Sequence, residues 1–165
     1  MLKLRKNKKG FTLVELIVVI AIMAVLAGTV AGVTVSQLNK NTDKANLSQA
    51  KGIADFVAGE IADITNESVY TNGELVAANI KSVILTQYAS VNFKKESNGT
   101  ISDAPASKGQ FAVTVNTTTI GEGATAKTQV TSIDILYMNK SGGAIKGYTV
   151  STEGVITDYQ APAGD

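Results

Sequence analysis

The chain has 165 residues, which is enough for one domain of ordinary size in addition to an N-terminal anchor. It contains no cysteine, which excludes disulfides and thiolate metal sites, and no histidine, which removes the commonest general base and metal ligand. The formal net charge is +1, but residues 1–10 carry five basic side chains and no acid, so the remaining residues sum to −4.

The basic leader, residues 1–10, predicts the orientation of the segment that follows it. Flanks rich in lysine and arginine stay on the cytoplasmic side of a membrane, so we expect the N-terminus to be cytoplasmic. No comparable run of basic residues recurs later in the sequence, which argues against nucleic acid binding through the rest of the chain.

Residues 11–33 form an apolar segment in which Glu15 is the only charged side chain. Thirteen strongly apolar residues in it contribute about −4 to −8 kcal/mol of insertion free energy, whereas Glu15 costs at most about 3 kcal/mol. At about 1.5 Å per residue, the segment is long enough to cross a hydrocarbon core of about 30 Å. The sequence therefore predicts one membrane-spanning helix, and an acid inside such a helix is a candidate functional residue.

An ordinary secretory signal peptide is the alternative interpretation of this segment. Val25-Leu26-Ala27 or Thr29-Val30-Ala31 would then supply the small residues of a cleavage site. The acid inside the apolar run and the continuation of the helical pattern beyond these sites favour an anchor that is retained.

The run Lys8-Lys9-Gly10-Phe11-Thr12-Leu13-Val14-Glu15-Leu16-Ile17 resembles the class III signal of the type IV pilin family. Type II secretion pseudopilins and competence pseudopilins share this signal, and the resemblance covers about residues 5–33. It implies that a prepilin peptidase cleaves after Gly10 on the cytoplasmic side and that the new N-terminal residue, Phe11, is methylated. Glycine before the cut fits a protease cleft because it has no Cβ. The alternative role for Gly10 is a simple helix boundary, which needs no peptidase.

The resemblance also implies a role for Glu15 in assembly. After cleavage, the free amine of Phe11 lies four positions from Glu15, and the amine of one subunit would meet Glu15 of its neighbour. A paired charge in an apolar filament core is tolerable whereas an unpaired one is not, so the pair would set the axial register of the subunits. The alternative is a carboxylate that extends to the membrane interface and has little effect on assembly.

Gly28 and Gly32 form a Gly-xxx-Gly pair in the same helix. Small residues at this spacing allow helices to approach closely, although the pattern also arises by chance in a span rich in alanine and glycine. Many pilins have a helix-breaking proline near this position. Glycine weakens a helix by about 1 kcal/mol relative to alanine, so we expect helix packing or local flexibility here.

The remaining sequence predicts an α+β head. A helical period continues from about residue 34 to 64, with apolar residues three and four apart, and a second helix is predicted over residues 75–88. Asn72-Gly73 predicts a turn and residues 96–109 a loop. Alternating residues in 111–115 and 133–137, followed by a hairpin around Glu153-Gly154, predict three or four antiparallel strands packed on the helix.

The sequence thus predicts three parts: a leader over 1–10 that is removed, a transmembrane and polymerisation helix over 11–36, and a globular head over 37–165. We expect a structural subunit of a type IV pilus that forms a homo-oligomeric surface filament, with a prepilin peptidase and an assembly platform as partners. The alternatives are a pseudopilin and a secreted binding module. We expect no enzyme activity, no cofactor and no metal, and the lack of a head disulfide favours a Gram-positive source.

Overall fold

The computed structural model describes residues 10–123 and 126–162. The chain divides into two compact units, one that ends at Leu38 and one that begins at Asn39, and each is described by itself. Most of the predicted leader, residues 1–9, lies outside the described residues.

A long helix, α1 (Leu13–Ile61), begins in the first unit and ends in the second. All residues from 10 to 38, which we call the anchor segment, are exposed, and the large apolar Leu16 and Leu26 are 61% and 57% exposed. The helix contains a window of 18 residues with a mean hydropathy of 2.8, so it is long and apolar enough to cross a membrane. Exposed apolar side chains at this density need lipid or other apolar helices around them.

The second unit, which we call the head, buries one face of α1. The buried residues recur at steps of three and four, as expected for one stripe of a helix: Ala50, Ile53, Ala54, Val57 and Ile61. The helical period predicts Ile64 in the same stripe, but Ile64 is 64% exposed. The helix ends at Ile61, and Asp63 accepts hydrogen bonds from the backbone N–H and hydroxyl of Thr65 (2.9 and 2.6 Å), which replace a further helical turn.

A short hairpin follows, with β1 (Tyr70–Thr71) paired antiparallel to β2 (Glu74–Leu75). Asn72 and Gly73 between them have φ angles of 53° and 76°, which is the conformation that a two-residue type I′ turn requires. The sequence predicts the turn at these residues but not the strands beside it.

The second helix, α2 (Ala77–Gln87), begins two residues later than predicted, because Leu75 belongs to β2. It buries Ile80 and Ile84 in the same core as the α1 stripe. The rings of Tyr88 and of Phe56 in α1 pack in a T-shaped arrangement with their centroids 5.6 Å apart.

Four antiparallel strands form the sheet of the head in the order β3-β4-β5-β6: β3 (Phe111–Ile120), β4 (Lys127–Met138), β5 (Ile145–Ser151) and β6 (Ile156–Asp158). Ile133, Ile135 and Tyr137 of β4 belong to the core that contains the α1 stripe. The predicted α+β fold, a long N-terminal helix on a small antiparallel sheet, is confirmed.

The segment between α2 and β3 covers the first half of the outer edge of β3. The N–H of Phe111 donates to the carbonyl of Asn92 (2.9 Å), and the N–H of Val113 donates to the carbonyl of Ser102 (3.1 Å). The N–H of Lys94 returns a hydrogen bond to the carbonyl of Phe111 (2.8 Å). This segment, which includes the predicted loop over residues 96–109, therefore satisfies a sheet edge that would otherwise be open to pairing.

Asp43 of α1 holds the β4–β5 loop, residues 139–144, in place. Its carboxylate accepts hydrogen bonds from the backbone N–H groups of Lys140 (2.6 Å) and Ser141 (3.0 Å), from the Ser141 hydroxyl (2.5 Å) and from the Tyr137 hydroxyl. Partial burial by itself raises the pKa of this carboxyl, but the hydrogen bonds outweigh it and hold the Asp43 pKa at about 2. The hydrophobic pattern does not predict this link, which ties the cysteine-free sheet to the helix.

Candidate processing and assembly site

The predicted cleavage site lies just before α1. Gly10 and Phe11 are exposed, and Phe11 retains 90% of its accessible surface. A Cβ placed on Gly10 would meet no atom within 4 Å, so packing within the described chain does not require glycine there. The cleft of a peptidase is one reason for glycine that these open surroundings would not reveal, and a helix boundary before α1 is the other.

Thr12 and Glu15 cap the start of α1. The Glu15 Oε2 atom accepts hydrogen bonds from the backbone N–H and the hydroxyl of Thr12, both at 2.8 Å, and the Glu15 N–H donates to Thr12 Oγ1 (3.3 Å). This reciprocal arrangement is a capping box, in which the first residue is Thr or Ser and the acid follows three positions later. The Thr-x-x-Glu spacing is the sequence signal that could have predicted this cap.

The capping box changes the interpretation of Glu15 in the uncleaved chain. The carboxylate has two donors within its own chain, which lowers the cost of placing it near the end of an apolar helix. Because α1 begins at Leu13, Phe11 lies before the helix and does not share a helix face with Glu15 at this stage. A pairing with the Phe11 amine would therefore require either one more helical turn after cleavage or a neighbouring chain.

Gly28 and Gly32 lie within α1, which continues without interruption through both. No atom lies within 4 Å of a Cβ built on either residue, so their surface is open to an approaching helix. The hydroxyls of Thr29 and Thr34 beside them donate to the carbonyls of Leu26 (3.0 Å) and Val30 (2.8 Å). Such hydrogen bonds satisfy the threonine hydroxyls in an apolar environment and often bend a helix slightly.

A comparison with protein-family models matches residues 5–31 to the model described as "Prokaryotic N-terminal methylation motif". The chain carries this methylation motif. The motif is the class III signal of type IV pilins and pseudopilins, so the family resemblance seen in the sequence is confirmed. Comparisons with curated proteins and with solved structures gave no match.

The methylation motif contains Gly10, Phe11, Glu15 and Gly28, whereas Gly32 lies one residue beyond it. It supports a pilin-like or pseudopilin-like protein that is processed by a prepilin peptidase and anchored in a membrane before assembly. It does not distinguish a pilus subunit from a pseudopilin, and it does not extend into the head.

The head contains a cleft of about 500 Å³ beside the β1–β2 hairpin, the end of β3 and the start of β4. Its charged groups are Glu74 and Lys127, which form an exposed ion pair at 2.9 Å. Within residues 10–123 and 126–162, no three acidic side chains lie close enough together to hold a metal ion. Proteins with this motif are typically structural rather than enzymatic.

Proposed function

We propose that the chain is the structural subunit of a type IV pilus, assembled through its N-terminal helix into a surface filament. The observation that carries the proposal is a methylation motif on an exposed apolar helix whose only acid within residues 11–33, Glu15, follows Phe11 by four residues. Such a helix is suited to exchange lipid for neighbouring helices, because both environments are apolar.

The proposed sequence of events begins with an inserted precursor whose N-terminus is cytoplasmic. Cleavage after Gly10 removes residues 1–10 and leaves Phe11 with a free amine, which is then methylated. Residues 11–36 remain as the membrane and polymerisation helix, and residues 37–165 form the head on the outer side. In the filament, the Phe11 amine of one subunit pairs with Glu15 of another, because an unpaired carboxylate in an apolar core is strongly disfavoured.

The mature N-terminal residue tests this proposal directly. Mass spectrometry of the mature protein should find methylated Phe11, and Gly10→Val should give an inserted but uncleaved precursor. Gly28 or Gly32 at the mature N-terminus would instead identify a secreted binding module with an ordinary signal peptide. Normal processing of Gly10→Val would also contradict the proposal.

A pseudopilin of a secretion or competence system is the second candidate, because the methylation motif is common to both classes. Glu15 favours a subunit of the main shaft over a tip subunit, since family members at the tip can lack this acid. Electron microscopy of filaments sheared from the cell surface should reveal long pili, whereas a pseudopilin would give none or only short fibres. Adhesion, aggregation and twitching motility are the activities expected of a long filament.

A further inference from the structure

Five lysines from three separate stretches of the sequence lie at the end of the head that contains Asn39, where this unit begins. We call this surface the basic end, and all of its lysines are exposed: Lys40, Lys44, Lys108, Lys140 and Lys146. Lys40 and Lys44 flank Asp43 on α1, and Asp43 accepts the backbone N–H of Lys140 (2.6 Å). Asp43 is the one acid in this group, so the basic end carries a local excess of four positive charges.

The other two lysines are placed there by the strands. Lys146 is paired with Tyr137 in the β4–β5 register, and the Tyr137 hydroxyl donates to Asp43. The Lys108 side chain runs beside the β4–β5 loop, with its Cε 3.4 Å from the position that a Cβ on Gly143 would occupy. The fold therefore assembles a basic surface from lysines that are scattered along the sequence.

The opposite end of the head, where α1 terminates, is acidic. We call it the acidic end: Glu60, Asp63, Glu67 and Glu153. Glu60 accepts a hydrogen bond from the Asn66 amide (2.8 Å) just beyond the helix. Glu153 is brought there by the β5–β6 turn, since a Cβ on Gly154 next to it would lie 3.5 Å from the carbonyl oxygen of Ala58.

The charges at the two ends are not neutralised within the described chain. Its ion pairs are Lys51–Asp55, Lys81–Asp103 and Lys127–Glu74, none of which involves either end. Stabilisation of α1 does not explain why acidic residues lie at the end of this helix. Glu60 lies in the last turn of α1, which has no basic residue, although the negative end of a helix dipole favours cations over anions.

We propose that the basic end of one head binds the acidic end of a second copy of this chain, and that this contact repeats along the filament. The inference rests on the proposed function, because membrane insertion with the N-terminus inside makes all copies parallel. Copies in the same orientation can repeat a contact only if it joins two different surfaces of the head, such as its two ends. Contacts between like ends would be repulsive, so the charges select a heterologous contact that propagates.

Charge reversal at either end tests the contact in cells that carry the assembly machinery. Lys40→Glu, Lys44→Glu and Lys146→Glu together change the basic end from +4 to −2, so that both ends are acidic. Glu60→Lys, Glu67→Lys and Glu153→Lys together change the acidic end from −4 to +2, so that both ends are basic. Of these six side chains only Glu60 makes a hydrogen bond or ion pair in the described part of the chain, and its partner, the Asn66 amide, also donates to the Glu60 carbonyl (3.1 Å), so the head should still fold. We expect each reversed protein to lose about tenfold or more of the sheared filament yield, because like charges then face each other.

Combination of the reversals should restore assembly. Co-expression of the two reversed proteins gives acidic ends that meet basic ends, and a single chain with all six substitutions is again complementary, with ends of −2 and +2. Both should recover most of the wild-type yield. Wild-type filaments should also dissociate more readily at about 1 M than at about 0.1 M salt, since screening shortens the range of exposed charges.

Lys94→Glu with Lys95→Glu is the control, because it also exchanges lysines for glutamates, but on the segment beside β3. It should assemble normally. The proposal is wrong if the reversed proteins assemble like the wild type, or if neither combination restores assembly. It is also wrong if only the basic-end reversal matters, which would indicate another anionic partner such as lipid or nucleic acid. Wild-type protein that forms no filaments would instead contradict the proposed function.

Discussion

The two units of this chain differ in the exposure of their apolar side chains. The head encloses its own, and Ile53, Ile133 and Val150 from the helix and two strands are fully buried. In the anchor segment, every apolar side chain is exposed. Head stability is therefore a property of the single chain, whereas the state of the anchor segment is decided by the lipid or helices around it. Substitutions in the buried core of the head should change its melting temperature, and substitutions in the anchor segment should change assembly.

Glu15 should give the largest effect, and it should act on assembly alone. Glu15→Ala removes both the capping-box hydrogen bonds and the charge, whereas Glu15→Gln keeps an oxygen that can accept from Thr12 and removes only the charge. If Glu15 pairs with the Phe11 amine, both variants should insert and be cleaved but lose about tenfold or more of the filament yield. Sheared filament yield and the mature N-terminal residue measure the two steps.

The same pair of variants distinguishes a role of Glu15 in the axial register of subunits from a role in capping α1. A capping role predicts that Glu15→Gln assembles like the wild type and that Glu15→Ala is mildly affected, by about 1 kcal/mol of helix stability. The melting temperature of the head should be unchanged in both variants. A large change there would contradict the division of the chain into units that respond separately.

Gly147 should give the largest effect in the head. It lies in β5 opposite Leu136, and a Cβ on it would be 1.8 Å from the carbonyl oxygen of Ile135. Gly147→Ala must push the strands apart, so we expect a loss of about 3 kcal/mol in the free energy of unfolding. Thermal unfolding followed by circular dichroism measures it. An unchanged melting temperature would mean that the strands separate at little cost.

Asp43 should make the head sensitive to acid. Its pKa is about 2 in the folded chain, against an ordinary value of 3.8, so the stability it contributes is complete above about pH 4 and is lost as the pH falls towards 2. Asp43→Asn should cost about 2 kcal/mol at neutral pH, as expected for hydrogen bonds to a charged group. Denaturant unfolding at about pH 5 and about pH 2 should then find that the two proteins differ less at the lower pH. A constant difference would contradict this role.

Much of the fold could be predicted from periodicity, because burial on one side imposes a regular spacing. The helical stripe through Ala50, Ala54 and Val57 and the alternation of Ile133, Ile135 and Tyr137 are of this kind. The predicted end of α1 is three residues too late, since Ile64 fits the helical period but Asp63 and Thr65 form a turn of their own. Local hydrogen bonds of this type compete with helices and are weakly encoded by hydrophobic pattern.

The long-range contacts could not be predicted from the sequence, for a different reason. Asp43 and Ser141 are 98 positions apart, and nothing in either neighbourhood indicates that one binds the other. The basic end could not be predicted from the sequence either, because its lysines come from one helix, two loops and a strand. The residues of the candidate site, by contrast, lie close together in the sequence. Gly10, Phe11 and Glu15 are predicted from a short contiguous motif, while the Thr12 cap beside them needed only a known spacing.

Two glycines of α1 should give the smallest effects and the sharpest contrast between the units. Gly28 in the anchor segment and Gly59 in the head are both helical and exposed, and a methyl group added at either Cα would meet no atom within 4 Å. Alanine at either position adds helix propensity of about 1 kcal/mol. Gly59→Ala should therefore raise the melting temperature of the head by about 4 °C and leave filament yield unchanged.

Gly28→Ala should leave the melting temperature of the head unchanged, because the anchor segment has no core of its own. Its methyl group would instead meet a neighbouring helix wherever two anchor segments approach at the Gly28–Gly32 surface, so filament yield should fall by about twofold to threefold, the effect of roughly half a kcal/mol. Equal filament yields from Gly28→Ala and Gly59→Ala would indicate that the Gly-xxx-Gly spacing arises by chance and has no role in helix packing. Unequal yields at the same gain in helix propensity would mean that the glycine is needed by the neighbouring helix rather than by its own.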